Sequence, residues 1–349
     1  MKQGRTINGL AQELERRASH HKDFKAPTNK LSIFAATDNT MSMGGLPLNN
    51  PTINHHALRQ IGTHQNIPAK YVDHMLEHSP QLLATNINHW FQQMPSTRLL
   101  RTDEHGVRAF LSDKYRVIDN DDIAEMVLPV LMSIPNMNVI SCEVTDRRLY
   151  IKAVTPRIKG EVVIGQEVQA GVTITNSEVG LGSVSVKPMA YFLWCLNGCT
   201  TGKGLSRYHI GRGSETGDDV REVMTDEAHE ADDKALLLKL RDVLSASISK
   251  VHFNRSLDKF RNAKTISIGD PIDAVELVEK KGWLSKGEGQ SVLKHLIEGA
   301  DLSAFGMSNA ITRASQDFES YDRASELETL GGTIIELPKS AWQETTMAA

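Results

Sequence analysis

Apolar and polar positions change period along this chain. Between residues 138 and 186 they alternate: Ile140, Cys142 and Val144, then Leu149, Ile151 and Ala153, then Val172 and Ile174, then Val184 and Val186 are apolar. A period of two marks strands with one buried face. Thr145–Arg148 joins the first two runs as a hairpin, and Asn176-Ser177-Glu178 with Gly180 and Gly182 supplies a turn before the last. Both glycines are predicted to need positive φ there. Elsewhere the spacing is helical. Leu10 and Leu14 suggest a short first helix, and residues 52–95 read as two helical pieces. Ile123, Met126, Val127 and Val130 predict a helix from about Asp121 to Leu131, capped by Asp119 or Asn120. Leu236, Leu240, Val243, Leu244 and Ile248 trace the stripe of one long helix over 234–264. Pro271 opens a helical tail, and Ser308–Leu330 reads as a single helix stopped by Gly331-Gly332.

Strands and helices that do not alternate strictly predict an α+β fold. The expected architecture is a central, mostly antiparallel sheet over about residues 105–196, flanked by helices. A long basic helix follows the sheet, and a helical C-terminal tail ends the chain. The expected domains are an N-terminal arm or lid (1–50), an α+β core (51–264) and a helical C-terminal region (265–349).

Charge narrows the function classes. The 349 residues carry a net charge of -4, so a nucleic-acid surface would have to be local. Such a surface is present in the sequence. Glycines at 198, 202, 204, 211 and 213 surround Lys203, Arg207 and Arg212, and backbone amides in such a loop approach phosphates closely. Tyr208 can stack on a base. Residues 234–264 hold eight Lys or Arg against two Asp, a local charge of +6, which includes Lys250, Arg255, Lys259 and Arg261. Between loop and helix, residues 215–233 hold nine acidic residues and read as a solvated linker. Three cysteines argue against a disulfide framework, and no run of about 18 apolar residues predicts a membrane span. The expected location is the cytoplasm.

Catalytic motifs are weak. Gly198–Gly204 has three residues between its first two glycines and Gly after Lys203, so it fails as a nucleotide-hydrolysing P-loop. Cys195, Cys199 and His209 lack an evident fourth zinc ligand. Glu178 lacks a second carboxylate or a base tied to it in sequence. Histidines 55, 56, 64, 74, 78 and 89 lack metal-protease spacing and read as helix-face residues. No catalytic residue, metal or cofactor is expected.

Residues 107–120 (VRAFLSDKYRVIDN), 174–186 (ITNSEVGLGSVSV), 194–198 (WCLNG) and 309–328 (NAITRASQDFESYDRASELE) resemble a family of phage and plasmid proteins of unknown function, over roughly residues 50–330. That resemblance implies a phage, prophage or plasmid origin, with the host cytoplasm as the compartment. It brings no catalytic residues. The order of elements is also similar to phage single-strand annealing proteins, which form rings or filaments around DNA; this is an analogy of layout. The expectation is a non-enzymatic protein that binds single-stranded DNA for annealing in recombination and associates with copies of itself. The alternative is a protein-binding factor that modulates a host defence or replication protein.

Overall fold

The structure, a computed structural model, describes residues 1–36, 39–201, 205–207 and 226–342. Its strands form two sheets. The first contains β1 (Lys22–Pro27), β2 (Ser32–Ala35), β3 (Met41–Gly44), β4 (Thr52–Ile53), β5 (Thr97–Asp103) and β6 (Gly106–Ser112), in the order β1-β5-β6-β4-β3-β2. Its pairs are antiparallel except β4 with β6. Helices α2 (His55–His64), α3 (Ala69–His78) and α4 (Pro80–Gln93) cover one face. Asn54 starts α2 by accepting the Ala57 N–H at 2.7 Å, and Pro80 sits in the first turn of α4, where its missing N–H costs nothing. Leu58, Ile61, Val72, Leu83, Ile87 and Phe91 bury against Ile33, Met43 and Leu100.

The second sheet contains β7 (Asn138–Val144), β8 (Leu149–Glu161), β9 (Glu167–Asn176), β10 (Val184–Phe192), β11 (Asn197–Thr200) and β12 (Leu205–Arg207). Its order is β7-β8-β9-β10-β11, all antiparallel, and β12 also pairs with β10. The alternation read from sequence gives this sheet its apolar face. Ile151, Ala153, Val172, Ile174, Val184 and Val186 pack on α1 (Ile7–His20), α5 (Asn120–Ser133) and α6 (Asp226–Ser247). Burying each such side chain stabilises the fold by about 1.5–3 kcal/mol. Further along, Val168, Ala170, Ala190 and Phe192 meet α7 (Lys250–Lys264), α8 (Pro271–Lys280), α9 (Lys286–Gly299), α10 (Ala304–Ala314) and α11 (Tyr321–Ile335). The class is α+β.

Several elements differ from the sequence reading. There are two sheets rather than one. Residues 1–50 are built into both layers instead of standing apart as an arm: α1 packs beneath the second sheet, and β1–β3 belong to the first. The helix expected over 234–264 breaks after Ser247, and Ser249 caps a new helix by accepting the His252 N–H at 3.3 Å. Residues 226–233, read as linker, lie in α6. The helix expected over 308–330 is two helices, and Ser320 caps the second. Gly331 and Gly332 lie inside α11 because a strand passes there. A Cβ on Gly332 would stand 1.9 Å from the Thr200 carbonyl oxygen. Gly180 has φ +76°, as expected for its turn. Gly182 does not need positive φ; it lies beside the Arg148 guanidinium, 3.4 Å from a built Cβ.

Candidate functional site

The second sheet is polar on its other face. Register lines up Ser141, Lys152, Thr173 and Lys187 in one row, and Glu143, Tyr150, Thr175 and Ser185 in the next. Polar side chains are expected on a face turned to water. Here α11 covers part of them. Lys152 is wholly buried and donates to Glu328 Oε2 at 2.7 Å and Ser325 Oγ at 3.0 Å. The Tyr150 hydroxyl donates to Asp322 at 2.8 Å, and the Tyr321 and Ser141 hydroxyls meet at 2.6 Å. Burial, with the Asp322 carboxylate beside it, pushes the Tyr150 hydroxyl pKa upward.

Between this face and α11 lies an open groove of about 280 Å³. Hydroxyls line it: Tyr150, Thr173, Thr175, Ser183, Ser185, Thr200, Ser325 and Thr329. Thr175 and Ser185 bond one another at 2.8 Å. Arg148, Lys187 and Glu326 are the charged residues on its wall. Glu326 is held by Arg323 at 2.8 Å. Arg148 donates to the Leu181 carbonyl. Neither Arg148 nor Lys187 has a carboxylate partner among the described residues. Two cations among hydroxyl donors, with the nearby acid already paired, make an environment that favours anions.

The residues expected to bind nucleic acid are placed unevenly. Lys203, Tyr208 and Arg212 lie outside the described residues, as does His209. Arg207 is described in its backbone: it ends β12 and pairs with Val184. Thr201, just before the loop, meets Ser256 of α7 at 3.0 Å. Thr201 is thus tied to α7, next to Arg255, and β12 is paired with β10 beside the groove residues Ser183 and Ser185. On α7 itself, Lys250, Arg255, Lys259 and Arg261 are exposed. Lys259 is paired with Glu336, and Arg261 with Asp258 at 3.3 Å and with the Glu161 carbonyl at 2.8 Å. Lys250 and Arg255 have no carboxylate partner among the described residues. The sequence reading missed Arg148 and Lys187, because a lone cation in a hairpin turn or on an alternating strand carries no signal of its own.

A second polar centre lies at the seam between the sheets. Glu178, in the β9–β10 turn, is buried and accepts from Arg108 Nη1 at 2.6 Å and from the Asn120 N–H at 2.7 Å, at the first turn of α5. Burial alone raises a carboxyl pKa; the Arg108 charge and the Asn120 N–H outweigh it and hold Glu178 below the usual range. Arg101 lies alongside, wholly buried, donating to Asp23 at 2.9 Å and Asp119 at 2.7 Å. Burial lifts the Asp119 carboxyl to about 6. Glu178 is thus tied into an ion-paired centre, and His21 lines the same cavity.

Other candidates resolve into separate contacts. His55 meets Asp73 at 2.9 Å, His56 the Val179 carbonyl at 2.8 Å, and His74 stacks on His78. Cys199 is buried with its sulfur 3.9 Å from Ser308 Oγ, and Cys195 donates to Asn197 Oδ1 at 2.6 Å. Among the described residues, Asp119, Asp121 and Asp122 form the one grouping with metal-ligand geometry, and Asp119 is already engaged by Arg101. No described helix is long and apolar enough to cross a membrane. The apolar positions Ile311 of α10 and Leu327 and Ile334 of α11 are wholly buried. Comparison with protein-family models, with curated proteins and with solved structures gives no match.

Proposed function

We propose that this chain is a non-catalytic nucleic-acid-binding protein that holds a single strand along the groove between β8–β10 and α11. The observation that supports it is the pair Arg148 and Lys187, two cations that have no carboxylate partner among the described residues and stand among hydroxyls. Hydroxyls and cations contact phosphate and sugar, which fixes a backbone without reading sequence. Thr200 lines the groove and β12 pairs with β10; Lys203, Arg207 and Arg212, neighbours of these residues in sequence, are assigned to the phosphates of the same bound strand. On α7, Lys250 and Arg255 extend the basic surface, while Lys259 and Arg261 are held by acidic partners. Titration of labelled single- and double-stranded oligonucleotides tests the reading. Salt-dependent binding that prefers single strands, and weakens in a Lys203→Ala, Arg207→Ala, Arg212→Ala variant, is the expected result. Absence of binding at low salt removes it.

One observation favours the second reading, a protein-binding factor. Tyr71 on α3, Trp90 on α4 and Met94 just after α4 are exposed around a cavity of about 620 Å³. Exposed aromatics beside a concavity suit a partner's apolar side chain. Loss of oligonucleotide binding in the titration moves this reading ahead.

A further inference from the structure

At the seam between the sheets, a cavity of about 220 Å³ is walled by the end of α1, the β5–β6 hairpin, the β7–β8 hairpin and the β9–β10 turn. Arg108 is part of its wall and is 6% exposed. Its Nη1 is taken by Glu178, but its Nε and Nη2 are buried without a hydrogen-bond partner. These two nitrogens form the fork with which guanidinium binds oxyanions in parallel bonds. Elsewhere in the molecule the same fork is filled. Arg59 places it on Asp73 at 3.0 and 2.5 Å, and Arg323 on Glu288 at 2.5 and 3.0 Å. Leaving charged donors buried and unpaired destabilises a fold, so an unfilled fork on a residue that lines a cavity points to a ligand.

We propose that this cavity is a binding site for a small oxyanion of the phosphate class, seated on the Arg108 fork. Four acids line it and each is engaged: Glu104 by Arg16, Glu178 by Arg108 and the Asn120 N–H, Asp103 by the His105 and Gly106 N–H groups, and Asp146 by Arg17 at 3.4 Å. Donors come from three directions, with Arg108 on β6, His21 after α1 and Arg147 on the β7–β8 hairpin; the Thr145 hydroxyl is committed to Asp322 at 3.0 Å and His20 Nδ1 to the Arg16 carbonyl at 2.8 Å. That spread matches a tetrahedral ion better than a planar carboxylate. Burial and the Arg108 charge hold the His21 ring pKa below its usual value, so the imidazole is neutral near pH 7 and one ring nitrogen can donate to the ligand. The site stands apart from the groove of the proposed function and does not rest on it.

Calorimetric titration of the full chain with inorganic phosphate, and with acetate as the planar comparison, tests this. Saturable phosphate binding tighter than acetate is expected, with a loss of about tenfold or more in Arg108→Lys, which removes the fork but keeps the charge. Arg148→Ala with Lys187→Ala should leave phosphate affinity unchanged. Should Arg108→Lys not fold, Glu178→Gln serves instead. It keeps an acceptor for Arg108 and removes a like charge, so it should tighten phosphate binding severalfold. Any one of three results overturns the proposal: no phosphate binding by the wild type at millimolar concentration, acetate binding at least as tight, or phosphate binding that follows the groove residues rather than Arg108 and Glu178.

Discussion

Lys152 Nζ lies 2.7 Å from Glu328 Oε2, with both side chains almost wholly shielded from water (0% and 1% exposed). The pair ties β8 to α11 across the polar face of the second sheet. Lys152 also faces the Tyr321 ring, 4.7 Å from its centroid, within cation–π range. Breaking a buried ion pair by removing one partner leaves the other charge uncompensated, at a cost of about 3–5 kcal/mol. Lys152→Met is therefore expected to lose that much in urea unfolding. Lys152→Met with Glu328→Leu should recover most of it. A single variant within about 1 kcal/mol of wild type would contradict the assignment.

Gly332 is expected to be intolerant of any side chain. Even Ala would place Cβ on the Thr200 carbonyl oxygen, and backbone on both sides leaves little room to yield. Gly332→Ala should destabilise by about 1–3 kcal/mol, in the range of overpacking. Gly287, in the first turn of α9, has nothing within 4 Å of a built Cβ. Gly287→Ala should stabilise by up to about 1 kcal/mol. Thermal midpoints of the two variants moving in the same direction would count against this account of α11.

Ala300 ends α9 in the left-handed region, with φ 48°. A Cβ there costs about 1–2 kcal/mol, of which glycine's greater chain entropy returns part. Ala300→Gly should raise stability by about 0.5–1 kcal/mol in chemical denaturation. A loss of stability would show that its side chain is doing something the backbone angle does not reveal.

Acid should unlock the contact between α9 and α11. Hydrogen bonds from Arg323, with help from the Ser285 N–H, hold the Glu288 carboxyl at about 2 against an ordinary 4.5. A depressed carboxyl pKa favours the folded state wherever the group is ionised. Its contribution is complete above about pH 4.5 and is lost as pH falls toward 2. The difference in thermal midpoint between wild type and Arg323→Gln should be largest above pH 5 and shrink steadily below it. A difference that stays constant with pH would mean that Arg323 acts through packing alone.

Sequence pattern revealed the second sheet better than the first. Ile151, Val172, Ile174, Val184 and Val186 announce their strands because one face is uniformly apolar. Lys22–Pro27 and Thr52–Ile53 do not, since a charged, proline-ended segment and a two-residue strand have no period to detect. The same alternation that located β8–β10 misdirected the reading of their polar positions. Lys152 and Thr173 look solvated in sequence, and only the return of α11 from more than 140 residues away buries them. Gly331-Gly332 signals either a helix stop or a close approach, and the partner that decides between them, Thr200, is remote in sequence. For the candidate site, the sequence reading rested on a glycine-rich stretch whose Lys203, Tyr208 and Arg212 lie outside the described residues. Arg148 and Lys187 gave no signal, because what sets them apart is the lack of a carboxylate partner among the described residues.

The salt dependence of oligonucleotide binding tests the central claim most directly. Each phosphate neutralised contributes about 0.7 to the logarithmic slope for a single strand. Four to six contacts predict a slope of roughly 3–4 for the wild type by fluorescence anisotropy. Arg148→Ala with Lys187→Ala should lower both affinity and slope, the latter by about 1.4. An unchanged slope and affinity in that double variant would contradict the placement of the strand in this groove.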